Sequence, residues 1–272
     1  MEKETATLMQ PDAKELAQHP VVSQQEWNKI LEEHVKKEKK MTKLRDELRR
    51  ELRALPWVKI EKNYVFESPY GKTTLSDLFG NRSQLIVKHF MFGPGWGEGC
   101  VGCSFSADHL EGTVQHLENH DVSVVAISRA PIQEIEAFKK RMGWSFRWVS
   151  SFDSDFNYDF NVSFTPEQVA EGHMYYNFGY IDAPMQEQSG ISTFYKDEKG
   201  DIYRTYSLYA RGEEAILSTY ALLDLTAKGR NEEGNLVNWV RHHDRYNAGG
   251  FVDNTGRYHA EEKKDGSGSC CH

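Results

Sequence analysis

Gly93-Pro-Gly-Trp96-Gly-Glu-Gly-Cys100-Val-Gly-Cys103 joins an apolar run, Leu85 to Phe92, to a helix-like segment opening near Ser104. The order is strand, glycine loop, dithiol and helix start. Two thiols three residues apart at the mouth of a helix can close a small disulfide ring, and the unpaired N–H groups of a first helical turn favour a thiolate over a thiol. That is the chemistry of thiol–disulfide exchange, with half of a zinc site, or two thiols packed in a glycine turn, as the other readings. Cys100, at or just before the helix start, is the expected nucleophile, with a pKa below that of a free thiol. Cys103, one turn inside, is the expected resolving thiol.

Outward from this loop the chain alternates. Leu85-Ile-Val-Lys-His-Phe-Met-Phe92 is apolar on both faces apart from Lys88 and His89, as a central strand is. Helix signals run from Ser104 to about Asn119, and Val122-Ser-Val-Val-Ala-Ile127 is a second buried strand. Pro131 opens a helix over Ile132 to Met142 that Gly143 ends, and Phe146-Arg-Trp-Val149 is a further strand. Strand, helix, strand, helix at these lengths implies an α/β fold with a parallel sheet and crossover helices. About forty aromatic-rich residues follow, including Phe152, Phe156, Phe160, Phe164 and Tyr176, expected to pack over the sheet or to form a lid. Ile191 to Tyr195 and Ile202 to Tyr206 form a hairpin across Lys196-Asp-Glu-Lys-Gly200, and Glu213 to Leu225 is the closing helix.

Upstream, Tyr64 to Phe66 and Lys72 to Leu75 flank Ser68-Pro-Tyr-Gly71, a second hairpin. Residues 1 to 22 are polar and broken by Pro11 and Pro20; then Ser23-Gln-Gln-Glu26 has the form of a capping box. A long helix follows, with Trp27, Ile30, Leu31, Val35, Met41, Leu44, Leu48, Leu52 and Leu55 mostly three or four apart and Pro56 as its stop. Lysines, arginines and acids interleave on its other faces, the pattern of a solvated surface rather than a nucleic-acid groove. One apolar stripe of that length needs a partner, and a homodimer through this helix is expected. The organisation is thus a lead-in and long amphipathic helix over 1–56, a central domain over 57–230, and a polar extension and flexible tail over 231–272. Cys270 and Cys271 close that tail beside His272, as incidental or resolving thiols.

Composition sets the outer bounds. The 272 residues are 39% hydrophobic and 12% aromatic, as in a folded globular chain, and a net charge of −8 argues against broad nucleic-acid affinity. No run approaches the roughly 20 apolar residues of a membrane span, and the N-terminus has no secretory core, so a cytoplasmic protein is expected. Four cysteines are too few for a disulfide scaffold in so long a chain, and in a reducing compartment Cys-x-x-Cys is redox-active or metal-binding.

Several motifs have a narrower likeness. Trp27, Phe90-Met-Phe92, Gly99-Cys-Val-Gly-Cys-Ser104, Asp108-His109, Ser128-Arg-Ala-Pro131, Arg141-Met-Gly-Trp144, Asp155-Phe-Asn-Tyr-Asp-Phe160, Thr205-Tyr-Ser207 and Asp224-Leu-Thr226 resemble the bacterial thioredoxin-like family catalogued as domain of unknown function 899, over about residues 20 to 245. The resemblance implies a thioredoxin-like fold for 57–230, closer to the peroxiredoxin branch in its leading hairpin and the segment Phe146 to Asn161. The chain departs from thioredoxins at Trp96, four residues ahead of the first cysteine, and at Ser189-Gly-Ile-Ser192, which has no proline. It departs from peroxiredoxins at Gly97, where a threonine or serine is usual.

The expected site is therefore Cys100 and Cys103, with His89, Trp96, Glu98, Asp108 and His109 in support. His89, on the strand feeding the loop, would supply positive charge or a proton, or fill the core. Glu98 would raise a neighbouring thiol's pKa. Asp108 and His109 lie on the dithiol helix, where capping, surface or packing roles compete with a role at the site. A protein or small-molecule thiol or disulfide is the expected partner, and no cofactor is implied. The metal alternative takes Cys100, Cys103 and His89 as zinc or copper ligands, with His109 or His173 in place of His89. A redox-inert interaction module built on the long helix is the third reading. His242-His243, too close together to share a metal, read as a surface turn. Gly97-x-Gly99-x-x-Gly102 has the form of a dinucleotide fingerprint, but Ser128-Arg129 stands where its acidic residue is needed.

Overall fold

The computed structural model describes residues 18–232 and 235–261; the lead-in before residue 18 and the thiols Cys270 and Cys271 lie outside them. Helix α1, Gln24–Arg53, starts where Glu26 N–H donates to Ser23 Oγ at 3.2 Å, the serine half of the expected box. Its 30 residues span roughly 45 Å. None is buried, and Trp27, Ile30, Met41, Leu44 and Leu48 are each at least half exposed. Among the described residues no helix is long and apolar enough to cross a membrane.

Beyond α1 come β1 (Val58–Ile60), the hairpin β2 (Val65–Ser68) and β3 (Gly71–Thr74), the short α2 (Leu75–Leu78) and β4 (Gln84–His89). Helices α3 (Val101–Glu111) and α4 (Val114–Asn119) lead to β5 (Val122–Ser128), and α5 (Ile132–Met142) leads to β6 (Arg147–Ser150). The single helix expected over Ser104 to Asn119 is thus two helices, interrupted at Gly112-Thr113, and the first begins earlier, at Val101. Short helices α6 (Phe156–Asp159) and α7 (Pro166–Ala170) and a small ribbon, β7 (Met174–Tyr176) with β8 (Gly179–Ile181), precede the hairpin β9 (Gly190–Lys196) and β10 (Ile202–Tyr209). The expected closing helix is a 3-10 segment, Ala210–Ile216, followed by the short α8, Ser218–Leu223. A last ribbon pairs β11 (Phe251–Val252) with β12 (Tyr258–His259).

The main sheet runs β1-β10-β9-β4-β5-β6-β2-β3. β4, β5 and β6 are parallel, joined by α3–α4 and α5, while β9 runs antiparallel to β4 and β10 to β9. This is the expected thioredoxin-like α/β fold, with the leading hairpin beside β6; the pairing of β1 with β10 is an addition that the sequence did not announce.

Each face of the sheet has its own core. Leu85, Val87, Val125 and Ile127 pack with Phe79, Phe156, Phe160, Phe164, Tyr176 and Phe194, so the aromatic-rich stretch covers this face. On the other, Phe90, Phe92, Ala126 and Trp148 pack with Ile135 and Phe138 of α5 and with both cysteines. Alternation along β4 sends Leu85, Val87 and His89 to the first face and Lys88 and Phe90 to the second. A third cluster seals the outer side of α3: Val101 and Phe105 bury Leu217 and Tyr220, and Leu236, Trp239 and Val240 from beyond residue 230 join them.

Candidate active site at the dithiol loop

The chain leaves β4, passes Phe92 and returns, so that the Cys100 N–H donates to the Met91 carbonyl at 3.0 Å. Gly99 permits this return: a methyl group there would lie 2.5 Å from the Phe90 ring and 2.9 Å from that of Phe138. Cys100 is the cap residue of α3, just before the helix start as expected, although that start is at Val101 rather than near Ser104. The Cys100 side chain makes no capping hydrogen bond to the first turn, but its sulfur lies close to the Cys103 thiol and to the N–H groups of Cys103 and Gly102. With the nearby charge of Lys88, they outweigh burial and bring the Cys100 pKa down to about 7. Cys103 behaves oppositely. Burial pushes its pKa well above that of an ordinary thiol, and the bond it donates to Cys100 adds to this. Both are free thiols, 6% and 3% exposed, and the Met91 N–H donates to Cys103 Sγ at 3.4 Å.

Lys88, read from sequence as an interruption of an apolar strand, lies beneath the pair. It is 1% exposed and its ammonium contacts the carboxylate of Glu213 in the 3-10 segment. Burial opposes its charge, but Glu213 and the two sulfurs outweigh burial and raise its pKa. A buried cation held by a buried carboxylate thus acts on the ionisation of both thiols.

His89 faces the other way. Its Nε2 lies 2.8 Å from Ser192 Oγ and its ring stacks on Phe156 at 5.7 Å, within the core on the opposite side of the sheet. Burial, reinforced by the charge of Lys88, lowers its pKa to about 3, so the ring is neutral and supplies neither a positive charge nor a proton to the thiols. The ligand set Cys100, Cys103 and His89 is therefore not assembled. His109 is turned away too, with Nδ1 2.6 Å from the Phe105 carbonyl and Nε2 accepting the Thr219 N–H at 3.1 Å. Asp108 accepts the Trp144 indole N–H at 2.7 Å and pairs with His243 at 2.8 Å, fastening elements two turns away from Cys100.

Glu98 and Trp96 shape the loop. The Glu98 carboxylate meets Arg141, Arg245 at 2.7 Å and His242 at 3.4 Å. Burial opposes its ionisation, but His242 and the two guanidinium groups hold its pKa down at about 2. Its charge is thus engaged by cations, and Cys100 is lowered rather than raised. The Trp96 indole fills the space over Gly93, where a methyl group would lie 2.7 Å from Nε1.

His242, expected in a surface turn, is fully buried. Its Nε2 lies 2.9 Å from the Gly99 carbonyl, and Nδ1 lies 2.9 Å from Arg141 Nη2. Arginine only donates, so Nδ1 accepts and Nε2–H donates to Gly99. The segment after residue 230 is therefore part of the site: it clamps the loop from outside through His242 and Arg245, and its last turn reaches Cys100 itself, where the Val101 N–H donates to the Gly256 carbonyl at 2.8 Å. Polar composition concealed it, because the few apolar residues that anchor it, Leu236, Trp239, Val240 and Val252, have no common period.

No curated protein matches the chain. Among solved structures, the peroxidoxin BcpB of Mycobacterium tuberculosis is similar at 14% identity and a TM-score of 0.40, over 60% of this chain and 94% of that one. A PrxQ mutant of Xylella fastidiosa is similar at 18% identity and a TM-score of 0.36, over 60% of this chain and 89% of that one. The family described as bacterial protein of unknown function (DUF899) matches residues 16–246, which include α1, the whole main sheet, the dithiol loop and the His242 clamp, and the chain belongs to that family.

Proposed function

We propose that the protein is a thiol–disulfide oxidoreductase in which Cys100 attacks and Cys103 resolves. The observation that supports this most strongly is the position of Cys100 as the cap residue of α3, a free thiol with Cys103 one turn inside and the buried Lys88 close enough to favour its thiolate. A thiol with a pKa near the ambient pH is close to the optimum for attack, since a substantial thiolate fraction is combined with retained nucleophilicity. The Cys100 thiolate attacks one sulfur of a substrate disulfide, an S–S bond forms between them, and the other substrate sulfur leaves as a thiolate that takes a proton from solvent. Cys103 then loses its proton and attacks Cys100 Sγ, which releases the second substrate thiol and leaves the Cys100–Cys103 disulfide; an external dithiol returns the pair to the reduced form. Lys88 stabilises the negative sulfur in both steps from within the sheet.

The partner in this reading is a protein or small-molecule disulfide, with no cofactor, and the compartment is the cytoplasm, where a reduced dithiol is the resting form. Insulin reduction driven by dithiothreitol tests it. Activity abolished in Cys100→Ser, with a mixed disulfide trapped on Cys100 in Cys103→Ser, is the expected result; activity retained in Cys100→Ser would remove the reading.

We propose also that two copies of the chain pair through α1. Among the described residues nothing buries its apolar row, and Lys36 with Glu32 and Glu33, and His34 with Glu38, give it a surface of both signs against which a second helix of the same sequence could lie.

A further inference from the structure

The cover over Cys100 is not the core of the domain but a turn from more than 150 residues downstream. A methyl group at Gly256 would lie 2.7 Å from Cys100 Sγ and 3.9 Å from its Cβ, so the glycine rests on the sulfur with no room for a side chain. Its carbonyl meanwhile takes the Val101 N–H at 2.8 Å. Gly256 has φ +79°, in the left-handed region that glycine enters freely.

The turn is built from its own bonds. Asp253 Oδ1 accepts from Thr255 N at 2.8 Å, Thr255 Oγ1 at 2.6 Å and Arg257 N at 3.1 Å, while Oδ2 lies 2.7 Å from His259 Nε2. Backbone bonds from Gly256 N to the Asp253 carbonyl and from Asp253 N to the Arg257 carbonyl, each 3.0 Å, close it. Toward the domain it is held by the carbonyl at Val101, the contact with sulfur, the Arg257 guanidinium 5.3 Å over the Trp96 ring and the Arg245 guanidinium 4.7 Å over the Tyr258 ring, with Tyr258 also beside His242 and, with Val252, against the cluster around Val101. It can therefore leave as a unit and keep its internal bonds. With it in place no disulfide reaches Cys100, because displacement at sulfur needs the attacking sulfur in line with the bond being broken.

We propose that the Asp253–Arg257 turn is an autoinhibitory cap on Cys100, which a polypeptide substrate displaces by offering its own backbone carbonyl to the Val101 N–H that Gly256 occupies. The proposal rests on the reading of Cys100 as the attacking thiol. Cap and substrate compete for one donor and one face of one sulfur, so reactivity toward any reagent scales with the fraction of molecules in which the turn is open.

The test is alkylation of Cys100 by iodoacetamide in the full chain, read as the mass of the peptide that carries it. Gly256→Ala places a methyl group against Sγ, and Asp253→Ala dismantles the turn without touching Cys100. Both are expected to accelerate alkylation roughly tenfold or more at one pH, with loss of hydrogen-exchange protection at the Val101 amide and an unchanged far-ultraviolet spectrum. Rates within twofold of wild type in both variants, with the Val101 amide still protected, would overturn the cap. Insulin reduction measured in parallel separates this failure from that of the redox reading. Unchanged alkylation with normal reduction removes the cap alone, whereas accelerated alkylation without reduction keeps the occlusion and removes the exchange chemistry on which the inhibitory role rests.

Discussion

The ammonium of Lys88 and the carboxylate of Glu213 meet inside the domain, 125 residues apart in sequence, and among the described residues no other lysine is buried. Burial of one charge is tolerable only with the other present, so breaking the pair from one side leaves an isolated ion in the core. Lys88→Met alone is expected to destabilise the protein by about 3–5 kcal/mol. The double variant Lys88→Met, Glu213→Leu should recover most of that loss in denaturant titration while the Cys100 pKa stays above its wild-type value. Stability and thiol acidity would thus separate, and recovery of both together would show that Lys88 has no electrostatic role at the dithiol.

With Cys270 and Cys271 replaced by serine, thiolate absorbance against pH should show a step near pH 7 that disappears in Cys100→Ser, because Cys100 is held at about 7 while Cys103 is raised well above an ordinary thiol. The effect on stability has a definite sign. The folded pKa of Cys100 is below that of the unfolded thiol, so the thiolate's contribution is complete above the unfolded value, about 8.5, and is lost as pH falls through 7. Relative to Cys100→Ser, the wild type should lose on the order of 2 kcal/mol of unfolding free energy between about pH 9 and about pH 6. Equal pH dependence in the two proteins would mean that the sulfur gains nothing from the helix start.

Glycine spacing and a continuous apolar strand were enough to place Cys100 at the cap of α3, because both signals are local to the loop. The choice between Lys88 and His89 was not local. Period-2 alternation says only that they face opposite ways; which face carries the dithiol depends on the side to which α3 crosses, and that is settled by packing of Phe90, Phe138 and Trp148. His242 and Gly256 were less legible still. Each makes a backbone contact at a separation of more than 140 residues, from a segment whose composition resembles that of a polar tail. The broken helix after Ser104 had a visible cause in Gly112, whereas the 3-10 form of Ala210–Ile216 places Glu213 against Lys88, a tertiary requirement without a sequence pattern.

His242→Ala should loosen the dithiol loop more than it damages the sheet. It would orphan the Gly99 carbonyl, free Arg141 Nη2 of its imidazole acceptor and leave a cavity against the Phe138 ring, whose centroid is 5.3 Å from that of His242. A loss of about 2–4 kcal/mol is expected from such a buried truncation. Hydrogen exchange should quicken from Gly97 to Gly102, with β4 and β5 protected as before relative to the lower global stability. His242→Asn, with an amide that can still donate to Gly99, should recover part of the loop protection, and protection equal in both variants would show that the hydrogen bond does not hold the loop.

Light scattering of the full chain at micromolar concentration should return the mass of a dimer if α1 pairs with its copy. Leu44 and Leu48 are each 55% exposed on that helix and touch no core, so Leu44→Glu with Leu48→Glu cannot weaken the folded domain through lost burial. Their exposed apolar area can matter only where a second surface covers it, at roughly 25 cal/mol per Å² removed from water. The double variant is expected to be monomeric at the same concentration, with an unchanged Cys100 titration, since α1 contributes no residue to the dithiol loop. A wild type that is monomeric, or a variant that remains dimeric, would each exclude α1 as the interface, and the second result would direct attention to the edge strand β3 or to β1 at the far side of the sheet.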